Sequence, residues 1–189
     1  FLAGGAATPP DLVRRAEAVG VAVTPVYGMT EVAGAVSMCR GTDALERRAH
    51  THGRVIWGTE VQVVDGDRNV LPPGATGEFR VRSPQMMIGY TDREASAAQL
   101  DADGWFYTGD VGTVDADGWL CMTGRIKDII NRGGEKFSAQ DIEHALTAHP
   151  VVAAAAVVGA PDARLGEVVA AFLQIRPGAT WSGPAEILA

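Results

Sequence analysis

Residues 107–134 have the sequence YTGDVGTVDADGWLCMTGRIKDIINRGG, and the pattern of the chain differs on the two sides of this stretch. From about residue 53 to 122, short apolar segments alternate with turn residues, and Glu78–Arg82 alternates apolar and charged residues as a strand does. After Lys127, Ser138–Asp141 forms a capping box with Asp in place of Glu, and apolar residues follow at helical spacing. The sequence therefore predicts a β-rich layer followed by a mixed segment of helix and strand.

The N-terminal residues have the pattern of a strand–helix–strand unit. Phe1–Ala3 is predicted to be an apolar strand followed by Gly4 and Gly5, and Thr8–Asp11 predicts a helix with Thr8 as its N-cap and Pro in its first turn. Val21–Val23 is predicted to be the second strand, which leads into a loop at Tyr27–Glu31. Strands joined in this way are parallel, so both loops are expected at the carboxyl ends of their strands, where open α/β sheets bind ligands.

The last part of the chain alternates apolar runs with turn residues. Val151–Val158 and Val168–Ile175 are predicted to be strands, the first of them buried. Ala185–Ala189 has the composition of a helix start. Because the chain also begins without Met, we expect it to be a piece of a longer protein.

Charge, hydropathy and cysteine content exclude several classes of protein. The formal charge of −7 argues against nucleic acid as the main partner. The longest apolar run, Val151–Val158, is far shorter than the ~20 residues that a membrane helix needs, so no membrane span is expected. Cys39 and Cys121 have neither metal-binding nor redox spacing, which favours a reducing, cytoplasmic location.

Two segments combine residue types that suit a nucleoside phosphate. Tyr27–Glu31 offers an aromatic face, a glycine for close approach, a hydroxyl and a carboxylate, which could serve a base, a phosphate and Mg²⁺. A surface loop is an equally good interpretation of its composition. Asp110 follows a glycine and could accept two hydrogen bonds from ribose hydroxyls, because a carboxylate only accepts.

Other polar and glycine-rich segments have weaker signals. Gly124–Asp128 places two cations and an acid beside a glycine, which a solvated, salt-bridging turn would also do. Gly133-Gly134 allows positive φ or close backbone approach, just before a helix N-terminus that could attract an anion. Asp101–Gly104 and Asp115–Gly118 are predicted to be turns, because they consist mainly of turn-forming residues. A calcium site is not expected there, because both segments lack the loop length and the closing Glu of such a site.

Taken in order, these segments resemble the adenylate-forming superfamily of acyl- and aryl-CoA synthetases, peptide-synthetase adenylation domains and luciferases. The strongest match is Tyr107–Asp110, Gly124–Ile130, Gly133-Gly134 and Asp141–Glu143, with support from Tyr27–Glu31, Gly77-Glu78 and Gly89-Tyr90. The resemblance covers essentially the whole chain.

The expected fold class is α+β (mixed α/β). Residues 1–124 would form the C-terminal part of the large AMP-binding domain, with a βαβ unit and then a β-rich barrel layer. Residues 125–189 would form the hinge and an incomplete small α+β C-terminal domain.

The resemblance implies which residues bind the nucleoside and the acid. Tyr27 corresponds to the aromatic residue that stacks on adenine, and Met122 to the aliphatic residue on the other face of the base. Asp110 corresponds to the ribose-binding Asp, with Arg125 assisting. The other binding residues that it implies line the acyl and adenine pocket, with Met29 on the acyl side: Gly4, Gly5, Ala6, Gly28 and Met29.

The resemblance also implies roles in the chemistry and in domain movement. Thr30 corresponds to the Thr that contacts phosphate, and Glu31 to the Glu that helps to hold magnesium. Lys127 falls at the hinge about which the small domain turns, and Gly134 beside the pantetheine tunnel. The implied reaction joins a carboxylic acid to ATP, giving an acyl-adenylate and pyrophosphate, and then transfers the acyl group to coenzyme A.

Departures from the family pattern leave two alternatives open. Ala139 stands where the family usually has Pro, and Asp141 where it usually has Glu, and together with residues 130–136 they favour aryl-acid adenylating members of the family. The rest of the chain resembles an acyl-CoA synthetase equally well, so an aryl-acid adenylating enzyme that loads a carrier protein is the alternative to an acid–CoA ligase. The family's phosphate loop and its C-terminal catalytic Lys are not in this chain, so we expect the isolated chain to be inactive and its partners to include the remainder of the enzyme. A non-catalytic nucleotide-binding module is the interpretation if the short chain is natural.

Overall fold

The computed structural model describes residues 1–6, 8–181 and 183. The chain divides into two compact units, Phe1–Met122 and Thr123–Ala189. The predicted domain boundary between residues 124 and 125 lies two residues after this division, and it stays a prediction. The predicted helix start at Ala185–Ala189 lies outside the described residues.

The first unit begins with a four-stranded sheet flanked by two helices. Its strands lie in the order β1-β2-β3-β4, where β1 is Leu2–Ala3, β2 is Thr24–Met29, β3 is Gly34–Met38 and β4 is Arg54–Val55. Helix α1 (Pro10–Ala18) connects β1 to β2, and α2 (Leu45–His50) follows β3. Strands β1 and β2 are parallel, which confirms the predicted strand–helix–strand unit.

The limits of the second strand and of the first helix differ from those predicted. The predicted strand at Val21–Val23 is wrong, because β2 begins only at Thr24 and extends through Met29. Tyr27, Gly28 and Met29 therefore lie in a strand and not in the predicted loop. The reason is tertiary, because β3 pairs antiparallel with β2 and continues its ladder as far as Met29 opposite Gly34. The predicted N-cap Thr8 is also wrong, since Pro9 occupies the cap position and no side chain caps the helix.

The second sheet has four strands in sequence order, and its last strand begins in the first unit and ends in the second. Its strands are β5 (Glu60–Val64), β6 (Gly77–Arg82), β7 (Phe106–Val114) and β8 (Leu120–Arg125). Helix α3 (Arg93–Gln99) lies between β6 and β7 in the chain, and the Asp92 side chain caps it. This sheet confirms the predicted β-rich layer.

Both Asp-Gly turns of this sheet form in the same way. The Asp101 carboxylate accepts hydrogen bonds from the backbone N–H groups of Asp103 and Trp105, and Asp115 accepts from Asp117 and Trp119. These bonds explain why the two near-identical segments each form a turn, as predicted.

The core of the first unit draws residues from both sheets. One cluster contains Tyr27, Val32, Val36, Val63, Phe79, Val81 and Leu120, with Met29 and Met122 packed against it. Phe79 on β6 is fully buried. Burying a side chain of this size stabilises the fold by about 1.5–3 kcal/mol. The cluster therefore fixes the end of β2 against the second sheet.

The second unit combines one sheet with one helix. The elements in chain order are β9 (Ile129–Arg132), β10 (Glu135–Ser138), α4 (Ala139–Thr147), β11 (Val152–Asp162) and β12 (Gly166–Ile175). The strands lie in the order β10-β9-β12-β11, and all paired strands are antiparallel. The Ser138 side chain accepts from the Asp141 N–H at 3.2 Å, which confirms the predicted cap of α4.

Two predictions for the second unit are wrong. Strand β11 forms as expected but is not buried along its length, because only Val152 and Val157 are buried and residues such as Ala156 and Val158 are exposed. Helix α4 does not directly follow Gly133-Gly134, since β10 lies between them. The expected anion site of a glycine turn at a helix N-terminus is therefore not formed.

Candidate functional site

The end of β2 opens into a cavity of about 750 Å³ in the first unit. Five of the predicted pocket and phosphate residues line it: Gly4, Gly5, Gly28, Met29 and Thr30. Five further residues line it that the sequence did not single out: Leu2, Val26, Ala33, Gly34 and Ala35. Ala6 is exposed and is not among the lining residues. The cavity therefore brings together segments from β1, β2 and the start of β3.

Gly28 is required by the close approach of β3 to β2. The pairing register shifts between Tyr27 and Gly28, and a Cβ atom added at Gly28 would overlap the backbone of Gly34 and Ala35. Any larger residue would force the two strands apart. The glycine thus shapes the cavity wall through strand packing.

Tyr27 and Asp110 are in contact, although the sequence suggested separate roles for them. The Tyr27 hydroxyl donates to Asp110 Oδ2 at 2.7 Å, and both residues are buried. The Tyr27 ring also packs against Phe79, with the ring centroids 5.6 Å apart. Because Tyr27 is only 5% exposed, little of its ring is open to a base in this conformation. Adenine stacking by Tyr27 stays a prediction.

Asp110 is positioned by a short network on β7. Its backbone N–H donates to the Thr108 hydroxyl at 3.0 Å, and that hydroxyl donates to the Phe79 carbonyl oxygen at 2.9 Å. The Gly109 N–H donates to Glu78 Oε1 at 2.9 Å. Glu78 is thus a supporting residue that our assignment of site residues omitted, although the Gly77-Glu78 pair belongs to the family pattern.

Thr30 and Glu31 leave β2 in a 3-10 turn, Thr30–Val32, which is anchored by the buried Val32. Thr30 is exposed at the cavity, and Glu31 is half-buried. The Tyr90 hydroxyl donates to Glu31 Oε1 at 2.7 Å. Burial, together with the hydrogen bond to Glu31, raises the pKa of Tyr90 to about 12, so its hydroxyl remains a donor at neutral pH.

Glu31 fits the role of a single protein ligand to Mg²⁺. Within residues 1–6, 8–181 and 183 there is no group of three or more His, Cys, Asp or Glu side chains that could hold a metal by itself. Mg²⁺ is commonly bound through one or two carboxylates and the phosphates of a substrate, with water completing its octahedron. One carboxylate, on the residue that follows the exposed Thr30, suits an ion that arrives with a phosphate ester.

Met122 lies where β8 meets the core cluster. It is partly buried against the cluster that contains Tyr27, and its backbone N–H donates to His52 Nδ1 at 3.3 Å. Burial lowers the pKa of His52, which keeps the ring neutral and Nδ1 available as an acceptor. The His52 backbone N–H also donates to the Leu120 carbonyl oxygen at 2.7 Å. The sequence carried no local signal for this role of His52.

Three predicted residues belong to the second unit. Arg125 ends β8, and Lys127 lies in the following 3-10 turn, Ile126–Asp128, where both are exposed. Gly133 and Gly134 form the two-residue turn between β9 and β10, with φ of 63° and 95°, so the predicted positive φ is confirmed. The functional roles of Arg125, Lys127 and Gly134 stay predictions.

None of the helices in the described residues has the length and apolar character needed to cross a bilayer. In the same part of the chain, Cys39 and Cys121 are not joined by a disulfide.

The chain matches two family models. Residues 1–91 match the AMP-binding enzyme model, and residues 141–188 match the AMP-binding enzyme C-terminal domain. Together the two models cover most of the chain and both units.

Individual relatives agree with these models. The chain is 40% identical to a medium-chain fatty-acid–CoA ligase of Escherichia coli (strain K12), covering 93% of this chain and 31% of the relative. It is 38% identical to a feruloyl-CoA synthase of an Amycolatopsis species, covering 100% of this chain and 38% of the relative. Its structure is similar to that of O-succinylbenzoate coenzyme A synthetase from Bacillus subtilis in complex with ATP and magnesium ion, with a TM-score of 0.85 and 31% identity over 98% of this chain and 38% of that chain. The chain thus spans about a third of the length of the relatives it matches.

Proposed function

Because the chain belongs to the AMP-binding enzyme family, we propose that it is part of an ATP-dependent carboxylic acid–CoA ligase. In the first half-reaction a carboxylate oxygen attacks the α-phosphorus of ATP, which forms an acyl-adenylate and releases pyrophosphate. In the second, the thiol sulfur of coenzyme A attacks the acyl carbon, and AMP leaves. Adenylation makes the acyl carbon reactive, so the protein's task is positioning and charge stabilisation.

The observation that carries this proposal is the cavity at the end of β2. Its rim carries the exposed Thr30 hydroxyl, Glu31 follows directly, and Tyr27 of the same strand contacts the buried Asp110. Groups suited to a phosphate, a metal and a ribose therefore lie along one strand and its contacts. This arrangement fits a nucleotide whose phosphates point toward the 3-10 turn.

Each of these residues has a defined task in the proposed reaction. Asp110 accepts hydrogen bonds from the ribose hydroxyls, while Tyr27 holds one of its carboxylate oxygens. Thr30 donates a hydrogen bond to a phosphate oxygen, and Glu31 holds Mg²⁺, which when bound neutralises charge on the phosphates. Arg125 assists at the ribose.

Two residues of the second unit are assigned to the second half-reaction. Lys127 acts as the hinge residue, and Gly134 lies beside the path of the pantetheine arm. Both assignments come from the matching motif positions, and both residues are exposed.

The cavity lining favours an acid with an uncharged tail. Of the ten described residues that line it, nine have apolar side chains or none, and Thr30 is the one with a polar group. A second carboxylate on the substrate would find no cation among them and would lose its hydration. We propose an aliphatic or aryl monocarboxylic acid as the substrate class.

Acid-dependent exchange of pyrophosphate into ATP, measured on the enzyme that contains this chain, tests the first half-reaction. Thioester formation with coenzyme A and with a pantetheinylated carrier protein, measured in parallel, tests the acceptor. Exchange without thioester formation on coenzyme A, but with loading of the carrier protein, would favour the carrier-protein alternative. ATP binding with no exchange for any acid would favour a non-catalytic nucleotide-binding module.

We also propose a cytoplasmic location, where ATP and coenzyme A are available.

A further inference from the structure

The segment Met87–Tyr90 contacts Glu31 through two hydrogen bonds. The Met87 N–H donates to the Glu31 backbone oxygen at 2.7 Å, and the Tyr90 hydroxyl donates to Glu31 Oε1 at 2.7 Å. The segment therefore fixes both the backbone and the carboxylate of one residue, although Tyr90 and Glu31 are 59 positions apart in the chain.

We propose that Tyr90 is a positioning residue that orients the Glu31 carboxylate toward Mg²⁺ bound to the phosphates of ATP. This inference rests on the proposed function, because it takes Glu31 to be the metal ligand. Tyr90 itself touches neither the metal nor the nucleotide.

Tyr90 is well placed for this role because its own position is fixed. Its backbone N–H donates to the Ser96 hydroxyl at 2.8 Å, and its ring meets Phe106 edge-on, with centroids 6.4 Å apart. The Ser96 hydroxyl also donates to the Asp92 carbonyl oxygen at 2.9 Å, at the start of α3. The phenol is thus held by a helix and a strand, while Glu31 stands on a turn of only three residues.

The hydrogen bond leaves most of the carboxylate available. A carboxylate has about four lone-pair positions, and Tyr90 occupies one of them on Oε1. Among the described residues, no other side chain donates to the Glu31 carboxylate. Without Tyr90 the carboxylate would rotate among several conformers on the half-buried turn, and binding a metal would require it to lose that freedom. Hydrogen bonds that orient metal ligands in this way are commonly needed for full metal affinity.

A purely structural role for Tyr90 makes a different prediction. If the bond only fastened the segment to the turn, its loss would lower stability and weaken all ligand binding alike. If Tyr90 orients Glu31, its loss changes the dependence of ATP binding on Mg²⁺. The two roles are separated by titrating Mg²⁺, not by measuring activity alone.

The test measures ATP binding by calorimetry over a series of Mg²⁺ concentrations, using the enzyme that contains this chain. For Tyr90→Phe we expect the Mg²⁺ concentration for half-maximal ATP binding to rise about tenfold. Excess Mg²⁺ should restore binding. Tyr107→Phe is the matched control, because it also removes a hydrogen-bonded phenol hydroxyl, one that contacts Arg80 and Asp101 instead of Glu31. It should stay within about twofold of the parent.

A double variant shows whether Tyr90 acts through Glu31. In a Glu31→Gln background, Tyr90→Phe should cause no further change in the Mg²⁺ dependence. An effect of Tyr90→Phe no larger than that of Tyr107→Phe, or an equal effect in the Glu31→Gln background, would overturn the positioning role while the proposed function stands. If the parent enzyme binds ATP with no Mg²⁺ dependence, the metal role of Glu31 in the proposed function fails, and the inference fails with it.

Discussion

The Tyr27 hydroxyl donates a 2.7 Å hydrogen bond to the Asp110 carboxylate and joins the first sheet to the second across 83 positions of the chain. Both residues are buried, so the bond forms in surroundings that strengthen it. A nucleotide that binds through the Asp110 carboxylate must share it with Tyr27. The residue proposed to bind the base and the residue proposed to bind the ribose are therefore already in contact in this structure.

Asp110→Asn should weaken ATP binding without changing the size of the side chain. The amide keeps an oxygen for Tyr27 but loses the charge and the capacity to accept from both ribose hydroxyls. Hydrogen bonds to a charged group are worth about 1.5–3 kcal/mol, so the Kd for ATP should rise roughly 10- to 150-fold. Calorimetry on the enzyme that contains this chain measures the effect.

Asp103→Asn is the control for this variant. Asp103 is an exposed turn residue of the same sheet, and its backbone oxygen accepts from Arg82. Its Kd for ATP should stay near that of the parent. Equal Kd values for the two variants would mean that Asp110 is not the ribose ligand.

Gly28→Ala should destabilise the first unit, because the added methyl group would overlap the backbone of Gly34 and Ala35. Overpacking of this kind costs about 1–3 kcal/mol or more. Urea unfolding of the 189-residue chain, followed by tryptophan fluorescence, measures the change. Gly66→Ala is the matched control, since an added Cβ there meets nothing within 4 Å. If both variants unfold at the same urea concentration, strand packing does not require the glycine.

Lys127→Pro should damage the two half-reactions unequally if Lys127 is the hinge. Proline restricts φ and removes a backbone donor, so it would hold one orientation of the small domain. Two rates are measured, that of pyrophosphate exchange and that of single-turnover thioester formation. One of them should stay within about tenfold of the parent rate, while the other is almost completely lost. Lys127→Ala, which leaves the backbone free, should be mild in both assays. Equal losses for the Pro variant, or an Ala variant that is equally damaged, would contradict the hinge assignment.

His52 should make the stability of the first unit depend on pH below about 6.5. Burial lowers its pKa in the folded state, so the unfolded chain binds the proton more readily. The contribution of the neutral ring is therefore complete above the ordinary His pKa, near 6.5, and is lost as the pH falls from there toward the lower folded-state pKa. Protonation also removes the Nδ1 acceptor for the Met122 N–H.

The free energy of unfolding between pH 7 and 5 tests this prediction. His52→Asn retains an acceptor atom near Nδ1 but does not titrate, so its stability should fall less over this range. His144→Asn, at an exposed position of α4, is the control and should follow the parent. If His52→Asn loses as much stability between pH 7 and 5 as the parent does, protonation of His52 is not the cause of that loss.

Local interactions made part of this structure predictable from sequence. Ser138 caps α4 through a bond to Asp141, three residues away, and the two Asp-Gly turns depend on bonds within four residues. Positive φ at Gly133-Gly134 likewise follows from residue type.

Contacts between distant segments could not be predicted in the same way. The length of β2 depends on pairing with β3, which also brings Ala33, Gly34 and Ala35 to the cavity. The bonds from Tyr27 to Asp110 and from Tyr90 to Glu31 span 83 and 59 residues, and neither pair has a local pattern. The family resemblance singled out Tyr27, Asp110 and Glu31, but not that they are held by contacts of this kind.

Successive residues of strand β2 face opposite sides of the sheet. Pro25 and Tyr27 point into the buried interior, while Val26 and Gly28 line the cavity. Because neighbouring strand residues face opposite sides, inserting or deleting one residue between Val26 and Tyr27 would turn the residues that follow to the other side. Tyr27 would then face the cavity and lose Asp110, and the 3-10 turn would carry Thr30 and Glu31 to new positions. A change of length in this part of the chain would therefore disturb the buried side and the cavity side together, and natural insertions in related enzymes are expected to fall outside it.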